Sequence, residues 1–185
     1  MSFEIIDNGI QVGLFLLFAL FSLIQGLHMQ NRRFLILAGT YASFSMGTLY
    51  YLLYLVIMGK VPQVFYVSEM AWMASYLFLL ALCLMETRRY RGKLDVLVLG
   101  LTIVEAAMVI GWKILGPSYP FTVAFALVTA CIFYYALLGY RMEKRMLMVA
   151  MVLVIVWQLL LYIVSVFTTG YTHFKIDEKS FIGSG

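Results

Sequence analysis

Residues 9–33 read GIQVGLFLLFALFSLIQGLHMQNRR, an almost unbroken apolar run closed by Arg32 and Arg33. A helix needs about 20 apolar residues, rising 1.5 Å each, to cross a hydrocarbon layer of roughly 30 Å. This stretch therefore reads as a transmembrane helix over about 9–28. The same pattern returns five times, over about 34–58, 63–85, 95–115, 120–140 and 146–169. The runs are long and continuous, without the ten-residue alternation of a membrane β-barrel. The fold expected is all-α, a polytopic bundle of six transmembrane helices over residues 1–170 with a short polar tail over 171–185.

Composition leads to the same class. Of 185 residues, 64% are hydrophobic and 12% charged, against roughly 25% charged in soluble domains. With a mean hydropathy of +0.96, the chain has too few polar residues to cover a single core with a hydrated layer. Disorder, a secreted disulfide scaffold, a nucleic-acid-binding domain and a soluble enzyme are excluded on this ground, and no nucleic-acid partner is expected. Cys83 and Cys131 fall inside expected spans without CxxC spacing, so both read as packing residues.

Basic loops are retained on the cytoplasmic side of a membrane. Arg32, Arg33, Arg88, Arg89, Arg91, Lys93, Arg141, Lys144 and Arg145 fall in alternate connections, after spans one, three and five. That side carries nine basic residues against Glu86, Asp95 and Glu143, a net charge of +6. On the other side Lys60, Lys113, Lys175 and Lys179 balance Glu4, Asp7, Asp177 and Glu178. Both termini are expected outside. Residues 1–8 hold no basic residue, so the first span is not expected to be a cleaved signal. The inner basic face would attract anionic lipid at about 1 kcal/mol per basic residue near the surface, or a protein partner with an acidic surface. The loops leave no room for a soluble domain, so any activity belongs to the bundle or to a partner docked on it.

Acids at membrane depth cost roughly 2.5–3.5 kcal/mol on insertion scales and tend to mark function. Glu69 and Glu105 are the two clear cases. Glu69, Trp72 and Tyr76 follow an i, i+3, i+7 spacing on one helical face, with Tyr66 one turn before. A carboxylate among aromatic rings can hold a cation by charge and ring quadrupole together, or can serve only to fix helix packing. Glu105 lies near the middle of its span, with Thr102, Met108 and Trp112 on the same face, and reads either as a neutral, protonated acid bridging helices or as part of a binding site. The ligand-binding candidates are therefore Glu69, Trp72, Tyr76, Glu105 and Tyr66, and whether the two acids meet is left open. Gly39, Ser43 and Gly47 make a small-residue ridge suited to close helix approach. Gln158, Tyr162 and Ser165, and separately Ser22, Gln25 and His28, make polar stripes turned away from lipid. With His28 and His173 the only histidines, and with no nucleophile elbow or phosphate loop, neither catalysis, nor a metal, nor a cofactor is expected.

Residues 62–82, PQVFYVSEMAWMASYLFLLAL, carry Glu69, an aromatic three residues on, a tyrosine seven residues on and a leucine-rich run. This stretch resembles bacterial multi-helix membrane sensory modules of the kind found before diguanylate cyclase or histidine kinase domains. Glu69 stands where aspartate is usual in them. The resemblance implies a sensory bundle whose ligand enters from outside, meets Glu69, Trp72 and Tyr76, and whose message passes through a partner. The function expected is a small, non-enzymatic ligand-sensing or partner-regulating protein of a bacterial-type cytoplasmic membrane. The alternatives are a cation- or proton-coupled carrier using Glu69 and Glu105, and an assembly subunit of a larger membrane complex.

Overall fold

The helices begin and end where the sequence supplies partners for their exposed backbone groups. A computed structural model describes the backbone of residues 2–59, 66–90, 94–112, 119–144 and 146–168, and the side chains of 5–59, 67–89, 94–111, 120–144 and 146–160. Six α-helices account for nearly all of it: α1 (Ser2–His28), α2 (Arg32–Met58), α3 (Tyr66–Glu86), α4 (Val96–Trp112), α5 (Tyr119–Glu143) and α6 (Met146–Thr168). The Asn31 side chain accepts from the Arg33 N–H at 3.0 Å and starts α2. Asp95 accepts from the N–H groups of Leu97 and Val98 and starts α4. Gly59 closes α2 in the left-handed region, its N–H donating to the Leu55 carbonyl at 3.0 Å. The tight α1–α2 and α5–α6 turns place Gln30 and Lys144 at positive φ.

Among the described residues the fold is all-helical. Four helices are long and apolar enough to cross a membrane: Ile5–His28, Arg32–Met58, Val67–Glu86 and Pro120–Glu143. Val96–Gly111 and Met146–Leu160 are shorter apolar segments. The expected span over about 9–28 differs from its helix at the start, and residues 113–115 of the span expected over about 95–115 lie outside the described residues. α1 begins seven residues early, where the Gln11 amide donates to Asp7 one turn away. The tail over 171–185 lies outside the described residues.

Polarity runs from apolar outside to hydroxyl inside, as expected of a membrane protein. Leu17, Ile24, Ile57 and Trp157 are exposed, while Thr48, Ser68, Ser75, Thr87, Thr122 and Thr129 are buried. The buried hydroxyls find acceptors close by. Thr40, Thr48, Thr87 and Thr102 each donate to the carbonyl four residues earlier. Ser68 reaches across to the Gly47 carbonyl at 3.0 Å, and Ser45 to the Val12 carbonyl at 3.2 Å.

In the bundle, α2 packs between α1 and α3, while α5 packs against α3, α4 and α6. The small-residue ridge of α2 is the surface on which α3 lies. A Cβ at Gly39 would stand 3.0 Å from the Phe78 ring, and one at Gly47 would stand 2.9 Å from the Trp72 ring. Gly100 of α4 has nothing within 4 Å. Gly47→Ala should therefore cost about 1–3 kcal/mol by overpacking, while Gly100→Ala should be neutral or stabilising by up to about 1 kcal/mol. Reversible unfolding in mixed detergent micelles would measure both, and equal effects at the two sites would contradict the packing described.

Candidate functional site

Two contacts set how α3 lies on α5. Tyr76 meets Phe125 edge to face, with ring centroids 4.9 Å apart. The Cys83 thiol donates to the Ile132 carbonyl at 3.7 Å, a pair 49 residues apart in sequence, the same separation as Tyr76 and Phe125. The helices therefore run parallel in one register. Tyr76 and Cys83 are seven residues apart, a spacing that returns to the same face after two turns. Seven residues before Tyr76 on that face stands Glu69, 3% exposed. The register puts it level with the start of α5 at Tyr119.

Trp72 turns a different way. Its ring lies over Gly47 and 6.4 Å from the Phe44 ring, both on α2. Its indole N–H is buried with no hydrogen-bond partner. The single face expected for Glu69, Trp72 and Tyr76 is thus divided: Tyr76 lies toward α5, with Glu69 seven residues before it on the helix, and Trp72 lies toward α2. Tyr66 opens α3, and its side chain lies outside the described residues.

Glu105 belongs to another place. It is 4% exposed, and neither carboxyl oxygen has a hydrogen-bond partner. It lines a cavity of about 10 Å³ with Thr129 of α5, Gln158 of α6 and apolar side chains that include Phe125 and Ile155. Thr129 lies ten residues along α5 from Tyr119, about 15 Å at 1.5 Å per residue. The two acids therefore stand at different depths, with α5 packed against both of their helices. Gln158 was visible in the sequence as part of a polar stripe. Thr129 was not singled out, although Thr122 and Thr129 form a seven-residue hydroxyl repeat that could have shown it. Tyr162 and Ser165, the rest of that stripe, have side chains outside the described residues.

At the end of the bundle where the basic residues gather, two acids are paired. Arg33 Nε lies 2.6 Å from Glu86 Oε1, joining the start of α2 to the end of α3. Arg141 pairs with Asp95, joining α5 to the start of α4. Arg32, Arg88, Arg89 and Lys144 are exposed on the same end. Cys83 is buried and Cys131 exposed, both as free thiols. Among the described residues no group of three or more His, Cys, Asp or Glu side chains could hold a metal ion.

No protein-family model matches the chain, and comparison with curated proteins and with solved structures finds no match.

If the Tyr76–Phe125 contact anchors the seam, Tyr76→Ala and Phe125→Ala should each cost about 3–5 kcal/mol. The double variant should recover about 0.5–1.5 kcal/mol of coupling. A cycle measured by unfolding in micelles that gives strict additivity would remove the contact from the seam.

Proposed function

We propose that the chain is an integral protein of a bacterial-type cytoplasmic membrane, crossing it six times with both termini outside, and that it works as a non-enzymatic ligand-sensing or partner-regulating module. The basic connections after α1, α3 and α5 support the orientation. Reporter fusions after residues 30, 90 and 144 should read as cytoplasmic, and fusions after 60, 115 and 170 as external. An opposite reading at residue 170 would break the six-span topology.

The observation that carries the functional reading is the placement of Glu69. It is a buried acid on the seam between α3 and α5, on the face of Tyr76 and one turn from the unmet indole N–H of Trp72. A carboxylate with aromatic neighbours suits a cation, and an organic ammonium uses both the charge and the ring faces. The α3–α5 seam is the main contact between helices α1–α3 and helices α4–α6 among the described residues. A ligand that prefers one arrangement of that seam shifts the balance between arrangements by its differential affinity. The far end of the same seam reaches Thr87 and the exposed Arg88 and Arg89, where a protein partner or anionic lipid would read the change. The different depths of the two acids favour this reading over a carrier that passes a cation between Glu69 and Glu105.

Tetramethylammonium serves as the probe. In a Trp112→Phe, Trp157→Phe background, the fluorescence of Trp72 should change saturably with the probe. Glu69→Gln should weaken the apparent affinity about tenfold or more, corresponding to at least about 1.4 kcal/mol. A saturable response unchanged by Glu69→Gln would remove Glu69 from the site, and no saturable response in the parent would remove the ammonium site itself.

A further inference from the structure

The cavity between α4, α5 and α6 makes a second demand, independent of the Glu69 reading. Asp95, paired with Arg141, marks the basic end of α4. Glu105 lies ten residues further along that helix, about 15 Å at 1.5 Å per residue. On the six-span topology this is the middle of a hydrocarbon layer roughly 30 Å thick. A carboxylate there with both oxygens unpartnered has three ways to be tolerated: an ion pair, a bound metal cation, or neutralisation by its own proton.

The surroundings decide between them. No Asp, Glu, Lys, Arg or His occurs between Phe121 and Tyr140 of α5 or between Met146 and Thr168 of α6, so the packed helices bring no charged partner to this depth. The titratable Cys131, Tyr134 and Tyr135 of α5 are not among the residues lining the cavity. Divalent cations such as Mg²⁺ and Ca²⁺ take six or more oxygen ligands. The lining supplies four side-chain oxygens: two from Glu105 and one each from Thr129 and Gln158. A proton needs one acceptor. A cavity of about 10 Å³ holds about one water molecule, which needs two to four polar partners, and the lining offers three. The Thr129 hydroxyl donates to the Ala126 carbonyl at 3.2 Å, which leaves its oxygen free to accept.

We infer that the cavity between α4, α5 and α6 is a proton-binding site, in which Glu105 is held as the neutral carboxylic acid and shares the space with one water molecule also contacted by Thr129 and Gln158. The packing of α4 against α5 is then linked to that proton. Loss of the proton leaves a charge that the cavity lining, which holds no cationic side chain, does not compensate, and α4 must give way to admit more water.

Infrared difference spectroscopy tests this on the full chain reconstituted in lipid vesicles. At neutral pH the wild type should show a protonated-carboxyl carbonyl band that moves down in D₂O. Glu105→Gln should abolish the band, and Glu69→Gln should leave it. Raising the pH should convert it to carboxylate in the wild type. Should Glu105→Gln not fold, Gln158→Leu serves instead: it keeps the acid, removes one partner of the water, and should shift the band to higher frequency. A wild type lacking the band at neutral pH overturns the inference, as does a band that persists in Glu105→Gln or does not move in Gln158→Leu. A carboxylate band that shifts between sodium, potassium and choline buffers assigns the cavity to a metal cation and also overturns it.

Discussion

In a hydrocarbon solvent a polar group has no water to fall back on and must find its partner within the chain. The rest of this structure follows from that constraint. Threonines bond to their own helix one turn back, serines reach the neighbouring helix, and Glu86 and Asp95 are each paired with an arginine where the basic residues gather. Many leucines and isoleucines, such as Leu17, Ile24 and Ile57, are left to face outward. Against that background Glu105, with two oxygens unmet, and Trp72, with an indole N–H unmet, are exceptions that packing alone does not explain. Glu69 is buried two turns before Tyr76 on the α3 face that meets α5.

The architecture gives these exceptions mechanical meaning. Each group of three helices has a central member, α2 in the first and α5 in the second, and the two groups meet mainly through α3 and α5. The seam holds a parallel register through an aromatic edge-to-face contact and a thiol–carbonyl contact. Glu69 is at one end of it, and the arginines that follow α3 are at the other. The cavity at Glu105 shares Phe125 with the seam, so α5 is touched by both features. Events at either acid act on the position of one helix.

Much of this was legible in the sequence. The long apolar runs predicted all six helices, and their interiors coincide with the observed elements. The ends differ because a helix continues past the apolar boundary wherever water and side chains can satisfy it, as at Asp7 and Gln11. The Gly39–Gly47 ridge was readable as a packing face because only small side chains allow such an approach. The acids were visible as charges out of place. The division of Glu69, Trp72 and Tyr76 was less so. Seven residues return a helix to within about 20° of the starting direction, whereas three fall about 60° short, and that difference sends Trp72 to another neighbour.

The sequence by itself determined the class, the helices and which side chains are costly, because those depend on local composition and on the free energy of moving each residue out of water. Tertiary structure alone decided which helices adjoin and at what register. Short connections permit several helix orders of similar local energy, so no reading along the chain could say that Glu105 would meet Thr129 and Gln158, or that Tyr76 would meet Phe125. Those partnerships arise from side-chain packing between helices distant in sequence, and they separate two acids that composition treats alike.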